Sequence, residues 1–277
     1  MVSYKEPEPL KNKNIVKDMA HKELKRRAEL GYQPSIQTDD LKELASAIKK
    51  DPDNPELHYN LAIKNHHLAY MGEIEYHHLD QAIGGFLKAI ELARTKEQEI
   101  KYRKELAGIY KHGYGNALYE WNRILELDPD DIETNRDLGM WFSHYGPVRE
   151  AISYLEKLID LEPENPINLR ELANLFLNRE VFDPKRAEVY AEKAVKLNLE
   201  QKSLGSITSE SYEILGYAYA HQLKRKEAED AFKNGLKFDS QNVFCFSGLL
   251  QTLYRLQRFE DVDRECNHGI NSESSSI

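Results

Sequence analysis

The chain has 277 residues, 40% hydrophobic and 31% charged, which is apolar enough for a sizeable core and too apolar for wholesale disorder. Lys and Arg total 38 against 47 Asp and Glu, a formal charge of −9, and this excludes bulk wrapping of nucleic acid and a polybasic membrane anchor. The two cysteines, Cys245 and Cys266, are too few for a disulfide-stapled secreted scaffold or a four-cysteine zinc site.

MVSYKEPEPLKNKN has no basic-then-apolar run, so no secretory signal is read there, and 1–13 is expected to be a disordered polar tail. No stretch reaches the roughly 18 apolar residues of a membrane span. The expectation is a soluble, cytoplasmic protein with no membrane insertion. Residues 14–54 read as a degenerate helical hairpin. Its first helix lies around 15–30, where HKELKRR is a solvated basic face, and its second is DLKELASAIKKDP, with Leu44, Ala47 and Pro52 in phase.

From residue 55 a period emerges. Helical runs close on IKKDPDNP, LELDPDD, IDLEPENP and LKFDSQN, and Pro129 and Pro163 are 34 residues apart. Residues 55–94 carry Leu61, Ala62, Ala82, Phe86 and Ala89, with eight extra residues between Leu61 and Ala82. Residues 95–129 carry Leu106, Ala107, Tyr110, Ala117, Trp121 and Pro129 around a short turn, HGYGN, which lacks the preceding strand of a dinucleotide fingerprint.

The clearest unit is 132–165. Leu138 and Phe142 stand four apart on one helix, Ala151, Leu155 and Leu158 recur on the next, and Gly146 marks the turn. Small residues at Gly139 and Ala151 suit the close approach of two antiparallel helices. Residues 166–199 repeat the pattern with Leu169, Leu172, Ala173, Phe176, Ala187, Ala191 and Ala194 and two extra turn residues. The segment 198–208 adds a loop or helix extension. Residues 209–242 carry Leu215, Gly216, Tyr219, Ala228, Phe232 and Gly235. The last unit, 243–270, keeps Phe246, Leu249, Leu253 and Phe259 but has Val262 and Cys266 where small and aromatic residues are expected, as an end cap does. Residues 271–277 read as a disordered tail.

These residues and their spacing resemble the tetratricopeptide repeat family, over most of the chain. The resemblance implies an all-α, right-handed superhelical solenoid of antiparallel helix hairpins, with no cofactor and no catalysis. It implies a protein-interaction module (adaptor, scaffold or assembly factor) that binds a partner segment in a concave groove lined by the first helix of each hairpin. Equivalent groove positions carry Lys104, Arg136 and Arg170 in three consecutive repeats, then Glu213. Others carry Met140, Asn174 and Tyr217, or His112, His144 and His221.

Three cations in register suggest an acidic partner segment. Glu105, Asp137 and Glu171 each follow a ladder residue directly, and neighbours on a helix diverge by about 100°, so these acids are not expected to neutralise the ladder. The family's clamp for a C-terminal carboxylate is incomplete. Arg170 and Asn174 match its first pair, but Ile214, Phe244 and Gly248 replace the Asn, Lys and Arg that should follow.

Two other readings stand beside the groove. The array could self-associate or build a larger complex through an uncovered Phe244, Phe246 and Leu250 in the last repeat. Metal binding comes last. His66, His67, His77 and His78 cluster around the eight-residue insertion, and neutral imidazole is a zinc, nickel or copper ligand, although no family motif supports a site there.

Overall fold

The computed structural model describes residues 38–71, 76–111 and 116–274. Among them are thirteen α-helices and no strand. The fold is all-α. The chain forms two compact units, which divide between Thr134 and Asn135. A repeat array has only nearest-neighbour interfaces and no single centre, so a division inside a continuous periodicity violates no sequence signal.

The first unit contains α1 (Thr38–Lys50), α2 (Pro55–Met71), α3 (Tyr76–Glu91), α4 (Lys96–Ile109) and α5 (Ala117–Leu127). Its core joins Ala62, Ala82, Phe86, Leu106 and Ile109, with Tyr59, Ile63, Leu79 and Ile83 packed around them. Phe86 and Leu106 are fully buried, and burying a side chain of that size stabilises by about 1.5–3 kcal/mol. Local chemistry sets the helix starts. Pro55 opens α2, where a missing amide proton costs nothing, while the Thr95 and Asn116 side chains accept from the amides of Gln98 and Tyr119. The eight-residue insertion lengthens both helices of its hairpin, α2 running to Met71 and α3 starting at Tyr76.

The second unit contains nearly all of α6 (Ile132–Tyr145), then α7 (Val148–Leu161), α8 (Pro166–Leu175), α9 (Pro184–Gln201), α10 (Gly205–His221), α11 (Arg225–Phe238), α12 (Val243–Arg255) and α13 (Phe259–Ser274). Its hairpins repeat their packing. Phe142 stacks on Tyr154 at 5.6 Å and 14°, and the equivalent Phe176 stacks on Tyr190 at 5.8 Å and 13°. The two stacks fall at equivalent places in the apolar pattern of their hairpins.

One reading left open is decided, and two local expectations change. The added residues of 198–208 are mostly helical: α9 continues to Gln201, Lys202 ends it in the left-handed conformation (φ 53°), and α10 starts at Gly205. The last helix runs to Ser274, into the stretch read as a tail, because nothing in NSES breaks a helix already begun. Gly139 is not a steric requirement. A Cβ there would sit 3.5 Å from Tyr154 Cβ, an ordinary contact, whereas one at Gly216 would lie 2.5 Å from the Phe232 ring. The N-terminal tail, the helix around 15–30 and the 275–277 end lie outside the described residues.

Candidate functional site

In the first unit, α4 presents Lys104. Its ammonium lies 2.7 Å from Asp131 and 3.0 Å from Glu133, two carboxylates at the start of the next repeat. Burial alone would lower the Lys104 pKa, but the two acids outweigh it and hold the group charged. Burial pulls Asp131 up as well. Hydrogen bonds from Lys104 and the Thr134 amide, the latter 2.9 Å long, overcome it and keep this carboxyl below the usual range. His112 lies outside the described residues.

In the second unit, α6 presents Arg136, and Glu162 at the C-cap of α7 receives it at 2.8 Å. The same carboxylate oxygen accepts from Asn165 at 3.1 Å and Asn168 at 3.0 Å. These donors outweigh burial and lower the Glu162 pKa. Arg170 on α8 pairs with Glu210 of α10 and lies 2.5 Å from Glu171. Its guanidinium is held between two acids rather than presented to solvent.

Each of the three cations is therefore held by carboxylates within its own unit. The expectation that flanking acids leave the ladder uncompensated is corrected. Glu171 reaches Arg170 because a long guanidinium arm folds back across the 100° between neighbours, carboxylates at the start of the next repeat take Lys104, and Glu162 at the end of its own repeat takes Arg136.

Arg170 and Asn174 share a cleft of about 490 Å³ in the second unit, lined by α8, by α10 and by the start of α12 with the loop before it. The lining includes one arginine and four acidic residues, Glu171, Glu210, Glu213 and Asp239, so the cleft is acidic. Burial pushes the Glu213 pKa up, and the nearby charge of Glu210 adds to it. Among the described residues its one hydrogen-bond donor is the Asn242 amide at 3.2 Å. Asn242 also caps α12, accepting from the amides of Phe244 and Cys245, which fixes this edge of the cleft. Phe244 and Val243 remain 61% and 68% exposed beside it. Asn174 is exposed too, and no side-chain hydrogen bond engages its carboxamide among the described residues.

The other groove candidates do not line this cleft. Tyr217 donates to the carbonyl of Phe244 at 3.2 Å and braces the edge from behind. Met140 is 55% exposed, and its carbonyl lies 2.8 Å from His144 Nδ1. His221 packs edge-on against Phe182 at 5.1 Å. Glu210, Glu213 and Phe244 supply most of the cleft's character, and their signal was present: Glu210 and Glu213 stand three apart on one face of α10.

The histidine cluster has ordinary structural roles where it is described. His78 Nδ1 lies 2.9 Å from Asn65 Oδ1, and His66 packs edge-on to Phe86 at 6.4 Å. His67 is exposed, and the side chain of His77 lies outside the described residues. No group of three His, Cys, Asp or Glu that could hold a metal ion occurs among the described residues. Cys245 is buried against Ser209, and desolvation pushes its thiol up to about 12, the opposite of what activates a nucleophile. No helix among the described residues is long and apolar enough to cross a membrane.

No family model matches the chain, and no curated protein does. Solved structures do. YrrB, described as a tetratricopeptide protein with an unusual peptide-binding site, superposes with a TM-score of 0.57 at 14% identity, over 74% of this chain and 96% of that one. MamA matches with a TM-score of 0.55 at 15% identity, over 63% of this chain and 92% of its own. The MamA fragment from Desulfovibrio magneticus RS-1 gives 0.55 at 16% identity, over 64% and 96%. With the repeated hairpin packing, these likenesses show the fold: this chain has a tetratricopeptide-like fold of helix hairpins.

Proposed function

We propose that this protein is a non-catalytic interaction module, an adaptor, scaffold or assembly factor of the cytoplasm, that holds a partner segment along the first-helix face of its second unit. The observation that carries the reading is the cleft between α8, α10 and α12. It combines an uncommitted carboxamide, Asn174, with an exposed aromatic, Phe244, above a core that is complete without them. A carboxamide can donate to and accept from an extended backbone at once, and an exposed aromatic next to it is a typical interface anchor. The peptide-binding site of YrrB, a protein of the same fold, supports the class of function. The three cations give an acidic partner little support, because Lys104, Arg136 and Arg170 already hold carboxylates. Asn174→Ala with Phe244→Ala tests the proposal: co-purification of the native partner is lost while the melting curve stays unchanged. Full capture by the double variant refutes it.

Self-association is a second reading, favoured by the last hairpin. Tyr254 and Phe259 pack edge-to-face at 5.4 Å and remain 65% and 52% exposed. Light scattering across concentration would show a mass that falls to the monomer in Tyr254→Ser/Phe259→Ser. A concentration-independent monomer in the wild type removes this reading.

A further inference from the structure

Four carboxylates and one guanidinium line the second-unit cleft, and the guanidinium is spoken for. That leaves negative charge in excess. Glu210 is shared with Arg170, while no ion pair engages Glu213 among the described residues, and a neutral amide is its one donor. Burial and the charge of Glu210 disfavour its ionised form by more than the Asn242 amide and the nearby charge of Arg170 favour it. A cation brought to this point relieves a repulsion that the free protein carries. Beside the carboxylates stand two features that do not depend on charge, the exposed apolar pair Val243 and Phe244 and the uncommitted Asn174 amide. Acid alone would suit a solvated ion; acid beside an apolar shelf and a backbone-reading amide suits a polypeptide.

We infer that the occupant of this cleft is an extended segment of basic character, with a Lys or Arg head placed against Glu210 and Glu213 and an apolar neighbour packed on Phe244. This rests on the groove reading above and reverses the partner charge that the ladder suggests. The long aliphatic stem of Lys or Arg fits the pairing, since it can cover Phe244 while its head reaches the acids. With the bulk charge at −9, long-range attraction favours the same sign of partner.

The test is a random-peptide phage library selected on the full chain. Individual winners are then measured by fluorescence anisotropy against wild type, Glu213→Gln, Glu210→Gln, Asn174→Ala and Phe244→Ala, each checked to melt cooperatively and no lower than wild type. The expected winners are rich in Lys and Arg, bind more weakly as salt rises, and lose about tenfold in affinity with Glu213→Gln. Glu210→Gln serves as the second carboxylate variant if Glu213→Gln disturbs the fold. Winners that are neutral or acidic, yet weakened by Asn174→Ala and Phe244→Ala, overturn the cationic occupant and leave the groove standing. Winners indifferent to all four substitutions, or no enrichment at all, overturn both.

Discussion

Glycine to alanine at two equivalent positions of the repeat should act in opposite directions. Gly139 and Gly216 each sit within the first helix of a hairpin, on α6 and α10. At both, alanine is the better helix former by about 1 kcal/mol. The surroundings differ. A Cβ on Gly139 would meet Tyr154 Cβ at 3.5 Å and Leu155 Cγ at 3.6 Å, which is normal packing. On Gly216 it would lie 2.5, 2.7 and 2.8 Å from three atoms of the Phe232 ring. That ring is fully buried and cannot retreat, because Gly248 closes its other side so tightly that a Cβ there would be 2.4 Å away.

Overpacking of this kind costs about 1–3 kcal/mol, and a ring boxed from both sides belongs at the upper end. Gly139→Ala should therefore gain up to about 1 kcal/mol, raising the midpoint by about 2–4 °C. Gly216→Ala should lose about 1–2 kcal/mol net, lowering it by about 2–8 °C. Thermal unfolding followed by far-ultraviolet circular dichroism reads both. Adding Phe232→Leu to Gly216→Ala should recover part of the loss. If Gly216→Ala melts at or above wild type, or both variants move the same way, the packing described for α10, α11 and α12 is incorrect.

Acid should uncover the compensated ladder. Asp131 and Glu162 have folded pKa values below their unfolded ones, so the stability they add is complete above about pH 4–5 and is lost as pH falls through the folded values. The melting gap between wild type and Asp131→Asn/Glu162→Gln should be widest near neutral pH and close in acid; a gap that widens in acid refutes the pairing. Glu213, raised by burial, works the other way, so Glu213→Gln should stabilise at neutral pH and converge with wild type as the carboxyl protonates, and a loss of stability at neutral pH would contradict it. Arg103 lies 2.6 Å from Glu120, which is 3% exposed. Arg103→Met should therefore destabilise by about 3–5 kcal/mol in urea titrations, and adding Glu120→Leu should restore most of it. Cys245 should resist a disulfide reagent until the protein unfolds, while the half-buried Cys266 reacts in the native state; two equally fast thiols would contradict the burial.

The hairpins were legible because their signals are local. Leu138 and Phe142, or Ala187 and Ala191, lie one helical turn apart, and the Asn165 and Asn242 caps lie within three residues of what they bind. The charge state of the groove face was not legible in the same way. Glu162 lies 26 residues from Arg136, and Glu210 lies 40 from Arg170, so the first pairing depends on how one hairpin closes and the second on how one repeat stacks on the next. Reading the ladder position by position found the cations and missed the acids that the fold delivers to them. Gly139 misled for a related reason: a small residue at a consensus position signals close approach only when the facing residue is large, and the partner is Phe232 in one hairpin and the stem of Tyr154 in the other. The extra residues at 198–208 read equally as a loop or a helix extension because nothing in NLEQKSLGSIT repeats, and most of them lengthen two helices.

The most direct test of an interaction cleft in the second unit is site-specific photo-crosslinking in the native cell. A photoreactive amino acid replaces either Phe244, at the edge of the cleft, or Val189, which is 64% exposed on the second helix α9. The account predicts a discrete heterologous adduct from position 244, lost with Asn174→Ala, and none from position 189. Equal adducts at the two positions, or an adduct at 189 alone, would contradict it.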